Sequence, residues 1–256
     1  TDIDKPTDYF NTKLYTGNGG TNAITGVGFQ PDWVWIKNRP DARDHQIYDS
    51  VRGTTKVIGS DRSSAEATVS NGLTAFGSDG FTVGADANVN DNGDSHVAWN
   101  WLAGGSASSN SNGSITSSVS ANTTAGFSVV SWTGSGSSAT IGHGLGATPK
   151  FIIVKNRADN VNWFAYHPSV ITVSATNKSF LTFNESGTVG TNSTATTFTS
   201  VSSTTFGVGT DNIINGSSDN MIAYLFAEKK GYSKIGSYTG NGNANGAFIY
   251  TGFRPA

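Results

Sequence analysis

The chain has 256 residues, of which 36% are hydrophobic and only 13% charged, with a net charge of −2, 14 Phe, 8 Tyr and 6 Trp. This aromatic content excludes a disordered chain, the sparse charge excludes an Ala/Glu/Lys-rich helical bundle, and the near-neutral balance leaves no footprint for nucleic acid. No apolar run approaches a bilayer span, so membrane insertion is not expected, and with no Cys there is neither a disulfide framework nor thiolate chemistry.

The chain opens on Thr1-Asp2-Ile3-Asp4-Lys5-Pro6, which lacks the apolar core of a signal peptide. Tyr15-Thr16-Gly17 begins a pattern that returns as Trp132-Thr133-Gly134. Gly28-Phe29-Gln30-Pro31-Asp32-Trp33-Val34-Trp35-Ile36-Lys37-Asn38-Arg39 returns at an offset of 118 as Gly146-Ala147-Thr148-Pro149-Lys150-Phe151-Ile152-Ile153-Val154-Lys155-Asn156-Arg157. Asp94 through Trp101 returns as Asp219 through Phe226. Three collinear blocks predict two units of one fold. Tyr238-Thr239-Gly240-Asn241-Gly242 and Gly252-Phe253-Arg254-Pro255 then begin the pattern a third time. The domains predicted are residues 1–104, 105–230 and a truncated third unit at 231–256.

Trp33-Val34-Trp35-Ile36 and Phe151-Ile152-Ile153-Val154 are apolar on both faces, which predicts central strands covered on both sides. Val97, Trp99 and Trp101 alternate with His96, Ala98 and Asn100, the period of a strand with one buried face. Asn-Gly and Asp-Gly pairs, among them Asn18-Gly19, Asp79-Gly80 and Asn215-Gly216, mark tight turns. The only helix candidate is the short Ser60–Ala67 stretch. Residues 104–113 read as a Gly/Ser junction and 114–121 as a solvated edge strand. The fold class expected is all-β, in tandem β-sandwich units of jelly-roll-like type.

Little in this sequence is spaced for chemistry. His45, His96, His143 and His167 form no zinc pair, so no metal and no cofactor is expected. Asp86-Ala87-Asn88-Val89-Asn90-Asp91-Asn92-Gly93-Asp94 superficially resembles a calcium loop, but the twelfth position is Val97 instead of the bidentate Glu. Only Glu66, Glu185 and Glu228 supply glutamates for the paired carboxylates of a glycosidase, so no catalytic residue is assigned. Tyr48, Asp49 and Arg52 read as a surface ion pair holding a loop. Specificity is expected in the loops that diverge most between units, just after Lys-Asn-Arg. Asp41, Arg43 and His45 in the first unit, with Asn160, Asn162 and Trp163 in the second, are the candidate ligand-binding residues. Trp163 would be an exposed aromatic able to stack on a sugar ring.

The Tyr-Thr-Gly-Asn-Gly block, Val27 through Arg39, Tyr48-Asp49-Ser50-Val51-Arg52-Gly53, Val97 through Trp101 and Gly142-His143-Gly144-Leu145-Gly146 resemble a poorly characterised repeat domain of tailed phages, especially marine ones. The resemblance implies a virion or tail-fibre component, made in the host cytoplasm without a signal peptide, and supplies no catalytic residues. It points to a structural and adhesion protein whose partners are further copies of the chain (a trimer being the usual fibre solution), other virion proteins and a host-surface glycan. A virion-associated glycan hydrolase or lyase, and a purely architectural spacer, are the alternatives.

Overall fold

The strand-forming runs pair into antiparallel sheets in the computed structural model, which describes residues 2–254. In the first half a large sheet runs in the order Phe10–Thr16, Ser95–Trp101, Trp33–Asn38, Gln46–Asp49, and a small sheet in the order Asn22–Thr25, Gly80–Val83, Leu73–Gly77. The second half has the corresponding order, Phe127–Thr133, Asn220–Phe226, Phe151–Asn156, Phe164–Tyr166, as the middle of an eight-stranded sheet, with a small sheet of Ala139–Gly142, Thr205–Val208, Phe198–Val201. Even the register corresponds. Trp35 stands opposite Trp99, and Ile153, its counterpart, stands opposite Tyr224. The fold is all-β and of sandwich type.

These two large and two small sheets stack small–large–large–small, and a fifth, two-stranded sheet pairs Lys56–Val57 with Ala67–Thr68. Val34 and Ile36 pack with Ile24, Leu73 and Phe81 of the first small sheet. Trp33, from the opposite face of the same strand, packs with Phe127, Ile153 and Tyr224 of the second large sheet. Ile152 and Val154 turn the other way, onto Ile141 and Phe206. The run that is apolar on both faces is therefore covered on both faces within one chain. Its second cover is the other half, so this strand makes no demand for a second copy.

Two one-turn helices repeat as well, and their signal was not read in the sequence. Asp86 caps Ala87–Asn90 and Asp211 caps Asn212–Asn215, each accepting a backbone N–H two residues on. Each helix ends on a buried amide, Asn90 or Asn215, that donates to three acceptors around the neighbouring turn. Asp86 of the calcium-like loop is thus a helix cap, and Asn215-Gly216 closes a helix instead of turning a hairpin.

Several expectations need correction. In Ser95–Trp101 it is His96, Ala98 and Asn100 that are fully buried, because the small sheet covers that face, while Val97, Trp99 and Trp101 are half-buried. The polar members are accommodated in part: His96 Nδ1 lies 3.1 Å from the Asp94 carbonyl and Asn100 donates to the carbonyls of Asn11 and Ala98, while His96 Nε2 and Asn100 Oδ1 are buried without a hydrogen-bond partner among the described residues. Ser60–Ala67 forms no helix, since its backbone donors go to the other half: Ala65 N–H to Asn160 Oδ1 and Glu66 N–H to the Arg157 carbonyl. The stretch expected as a solvated edge contains Ser117–Asn122, an interior strand flanked by Phe127–Thr133 and by Ser108–Asn110 from the supposed junction. Apart from these corrections, residues 231–254 form no strand, and Tyr238, Phe248 and Tyr250 are 71%, 88% and 81% exposed; Pro255 of the third block lies outside the described residues.

The repeated Thr-Gly has a steric cause. A Cβ on Gly17 would lie 1.9 Å from the Asp91 carbonyl oxygen, and one on Gly134 would lie 2.1 Å from that of Gly216. Gly17→Ala and Gly134→Ala are each expected to lower stability by about 1–3 kcal/mol through forced backbone shifts. Thermal melts check this, and a neutral result at either position contradicts the close approach.

Candidate functional site

The seam between the two large sheets holds both a buried ionic core and a cleft. Gln46–Asp49 delivers Asp49 to the seam, and the following turn folds Arg52 back so that its Nε donates to Asp49 Oδ2. Both side chains have no exposure. The pair read as a surface contact is therefore a core element, and its desolvation is offset by a full set of partners. Arg52 also donates to the carbonyls of Ile47 and Lys56 and to Glu66 Oε2. Tyr224, from the other half, donates its hydroxyl to Asp49 Oδ2 at 2.7 Å. Burial opposes the Arg52 charge, but Asp49, Tyr224 and Glu66 more than compensate and hold its pKa above the ordinary value. Burial also raises the Tyr224 phenol well above its usual range, so it remains a donor.

Glu66 carries this network across the seam. Arg157 grips it in a fork, Nε to Oε2 and Nη2 to Oε1, both at 2.8 Å. Burial pushes the Glu66 carboxyl up, but Arg157 and Arg52 together bring it below the usual range. Beside it Lys155 is fully buried and donates to the carbonyls of Ser63, Asp159 and Val161; burial lowers its pKa to about 8, against the opposing pull of Asp159.

Trp163 belongs to this core and is not an exposed anchor. It has 0% exposure, donates its indole N–H to the Gly59 carbonyl at 2.8 Å, and stacks on Tyr224. The neighbouring Asn residues are occupied by the same packing: Asn160 Oδ1 accepts from Ala65 N–H, and Asn162 Oδ1 accepts from Asn184 Nδ2. In the first half Asp41 is exposed and pairs with Arg43, which also pairs with Asp91. Oxygens of Asp41, Asp91 and Asp94 lie within 4.8 Å of one another, the only such acidic group among the described residues. The Arg43 guanidinium pairs with Asp41 and Asp91, and the Asn38 amide donates to Asp94 at 2.8 Å.

Of the six candidate residues, His45 alone lines a cleft. Its Nδ1 accepts the Trp35 indole N–H at 2.8 Å, which fixes the neutral tautomer with the proton on Nε2. Trp35, His45, Asp61, Phe183, Asn184 and Glu185 line a shallow, open cleft of about 370 Å³. Past Trp35 and Phe183 the cleft continues into an apolar space of about 430 Å³ lined by Trp33, Trp101, Phe151, Phe226 and Ile235. Each half falls within the roughly 300–1,000 Å³ typical of small-molecule sites. Trp35 and Phe183 meet at 6.1 Å and 64°, forming two walls of a corner. Of the three glutamates, Glu66 is in the seam and Glu228 holds the turn at Lys234 and Ile235. Glu185 is exposed at the rim and makes no hydrogen bond or ion pair among the described residues. Aromatic walls beside carboxylate, amide and imidazole groups suit a ligand that is apolar on one face and hydroxylated around its edge.

Sequence reasoning missed Trp35, Asp61, Phe183 and Glu185. One signal was available. The repeat offset grows from 118 at Lys37/Lys155 to 125 at Trp99/Tyr224, so the second half carries seven extra residues between these blocks, the region that contributes Phe183–Ser186.

Residues 5–256 match the family described as Domain of unknown function (DUF7483), and the chain belongs to that family. No curated protein and no solved structure matches the chain.

Two outcomes follow from the seam. Arg52→Met strands the Asp49 charge and is expected to cost about 3–5 kcal/mol, more than Arg157→Met, whose partner is partly hydrated; chemical denaturation of both variants measures the order. Burial, as the leading cause, holds His45, His96 and His143 below the ordinary value of 6.5. As pH falls the unfolded chain protonates first, so the stability these neutral rings contribute is complete above about pH 6.5 and declines from there toward their depressed values. A Tm that rises on acidification through this window contradicts the assignment.

Proposed function

We propose that this member of a family of unknown function is a structural and adhesion module of a phage virion appendage, and that the seam cleft engages a host-surface glycan. The observation that carries the adhesion reading is the cleft itself: the Trp35–Phe183 corner beside Asp61, Asn184, Glu185 and the Nε2–H of His45. Aromatic faces stack on the C–H face of a pyranose, and carboxylates and amides accept and donate to its hydroxyls. The virion setting rests on the resemblance of the repeated blocks, and association with further copies or other virion proteins belongs to the same reading.

The fused double sandwich suits that role. A seam of aromatic rings and hydrogen-bonded charges gives a chain without cysteine a durable core. Residues 231–256 are read as the opening of a third unit. Tyr238 corresponds to Tyr15 and Trp132, and Phe248 corresponds to Ile24 and Ile141, which are packed in their own units. In the tail the same positions are exposed.

Asp61 and Glu185 on one cleft keep hydrolysis as the second reading. A glycan array, run beside a reducing-sugar assay on bound polysaccharides, separates the two. Binding without sugar release is expected, weakened about two- to tenfold by Trp35→Ala, because a lost stacking wall removes about 0.5–1.5 kcal/mol. Steady release of reducing ends, abolished by Glu185→Gln, replaces adhesion by hydrolysis.

A further inference from the structure

The charge on the cleft narrows its ligand. Its two ionisable carboxylates, Asp61 and Glu185, are both exposed on the rim, and no Lys or Arg lines the space. The nearby cations are engaged elsewhere. Arg62 pairs with Asp44, and Lys37 donates to the carbonyls of Asn38 and Asp41. His45 contributes no positive charge in the tautomer that accepts the Trp35 N–H, because a second proton would set Nδ1–H against indole N–H.

Such a site offers acceptors to hydroxyl protons and nothing to balance an anion. Like charges brought together in a cleft with apolar walls are strongly disfavoured. The walls are also preorganised. Trp35 is held by His45 at its nitrogen and by Trp33 and Trp99 at 5.8 and 5.9 Å, so a sugar ring meets a fixed face.

Building on the adhesion reading, we infer that the Trp35–Phe183 cleft is a subsite for uncharged hexopyranose units and rejects sugars bearing carboxylate, sulfate or phosphate. Asp61 and Glu185 act as acceptors for ring hydroxyls and as the element that excludes acidic sugars. Neither is a catalytic residue in this assignment.

The test is an array in which neutral hexose polymers are printed beside uronic-acid polymers of the same linkage, probed with the full chain and with an Asp61→Asn, Glu185→Gln double variant. Glu185 has no partner among the described residues, and Asp61 Oδ2 accepts the His45 main-chain N–H, which an Asn Oδ1 can still accept, so an unchanged melting temperature verifies that the variant is folded. The wild type is expected to bind a neutral polymer at least about tenfold more tightly than its acidic counterpart. In the double variant that preference is expected to collapse, chiefly through a gain in acidic binding. Equal or tighter wild-type binding of the acidic member overturns the inference and leaves adhesion standing. So does a preference that the double variant does not alter, which places binding elsewhere on the protein. If no polymer on the array is bound, the adhesion reading falls and the inference falls with it.

Discussion

A buried guanidinium–carboxylate pair governs how the two halves of this protein meet. Arg52 and Asp49 are fully withdrawn from water, and such a pair is tolerated only when every remaining donor and acceptor finds a partner. The first half provides the carbonyls of Ile47 and Lys56 and the Glu66 carboxylate, and the second half provides the Tyr224 hydroxyl and, through Glu66, Arg157. Aromatic rings would pack in many registers, but this network is satisfied in one. The aromatic layer of Trp33, Phe127, Tyr224 and Trp163 contributes area, while the ionic core fixes its alignment.

The two halves share a frame and differ where they touch. Lys37 and Lys155 both reach back to loop carbonyls, and Asn38 and Asn156 both donate to the carboxylate of the corresponding Asp, Asp94 or Asp219, at 2.8 Å. These contacts explain the Lys-Asn block as loop bracing. Arg52 has no counterpart in the second half, whose aligned stretch reads Tyr166-His167, with Val170 at the arginine position. The two units therefore meet face to face through different residues.

Strand positions were legible because the repetition doubled the signal, and the both-face apolar run at Trp33–Ile36 correctly required two covers. What covered the second face was not legible. Asp49 and Tyr224 are 175 positions apart, and Trp163 finds its acceptor in Gly59, 104 positions away. A loop tryptophan among Asn residues reads locally as exposed, and only a partner from the other half reverses that reading. The burial of His96 and Asn100 was hidden for a related reason: His96 Nδ1 and the Asn100 amide nitrogen meet main-chain carbonyls, which leave no pattern in side-chain chemistry, while His96 Nε2 and Asn100 Oδ1 are buried without a partner among the described residues. The cleft escaped notice because it is assembled from one strand, one irregular segment and one insertion, none of which is distinctive alone.

The long sequence separation across the seam also orders the folding of the chain. Arg52 and Asp49 are three residues apart and meet as soon as the first sandwich forms, but Tyr224 is made 175 residues after Asp49. During synthesis the first half therefore exists for a time with Trp33, Trp35 and Trp101 bare and with a charged pair still hydrated. Contacts of such high order close late and slowly, and the uncovered aromatic face is a surface on which nascent chains can associate wrongly.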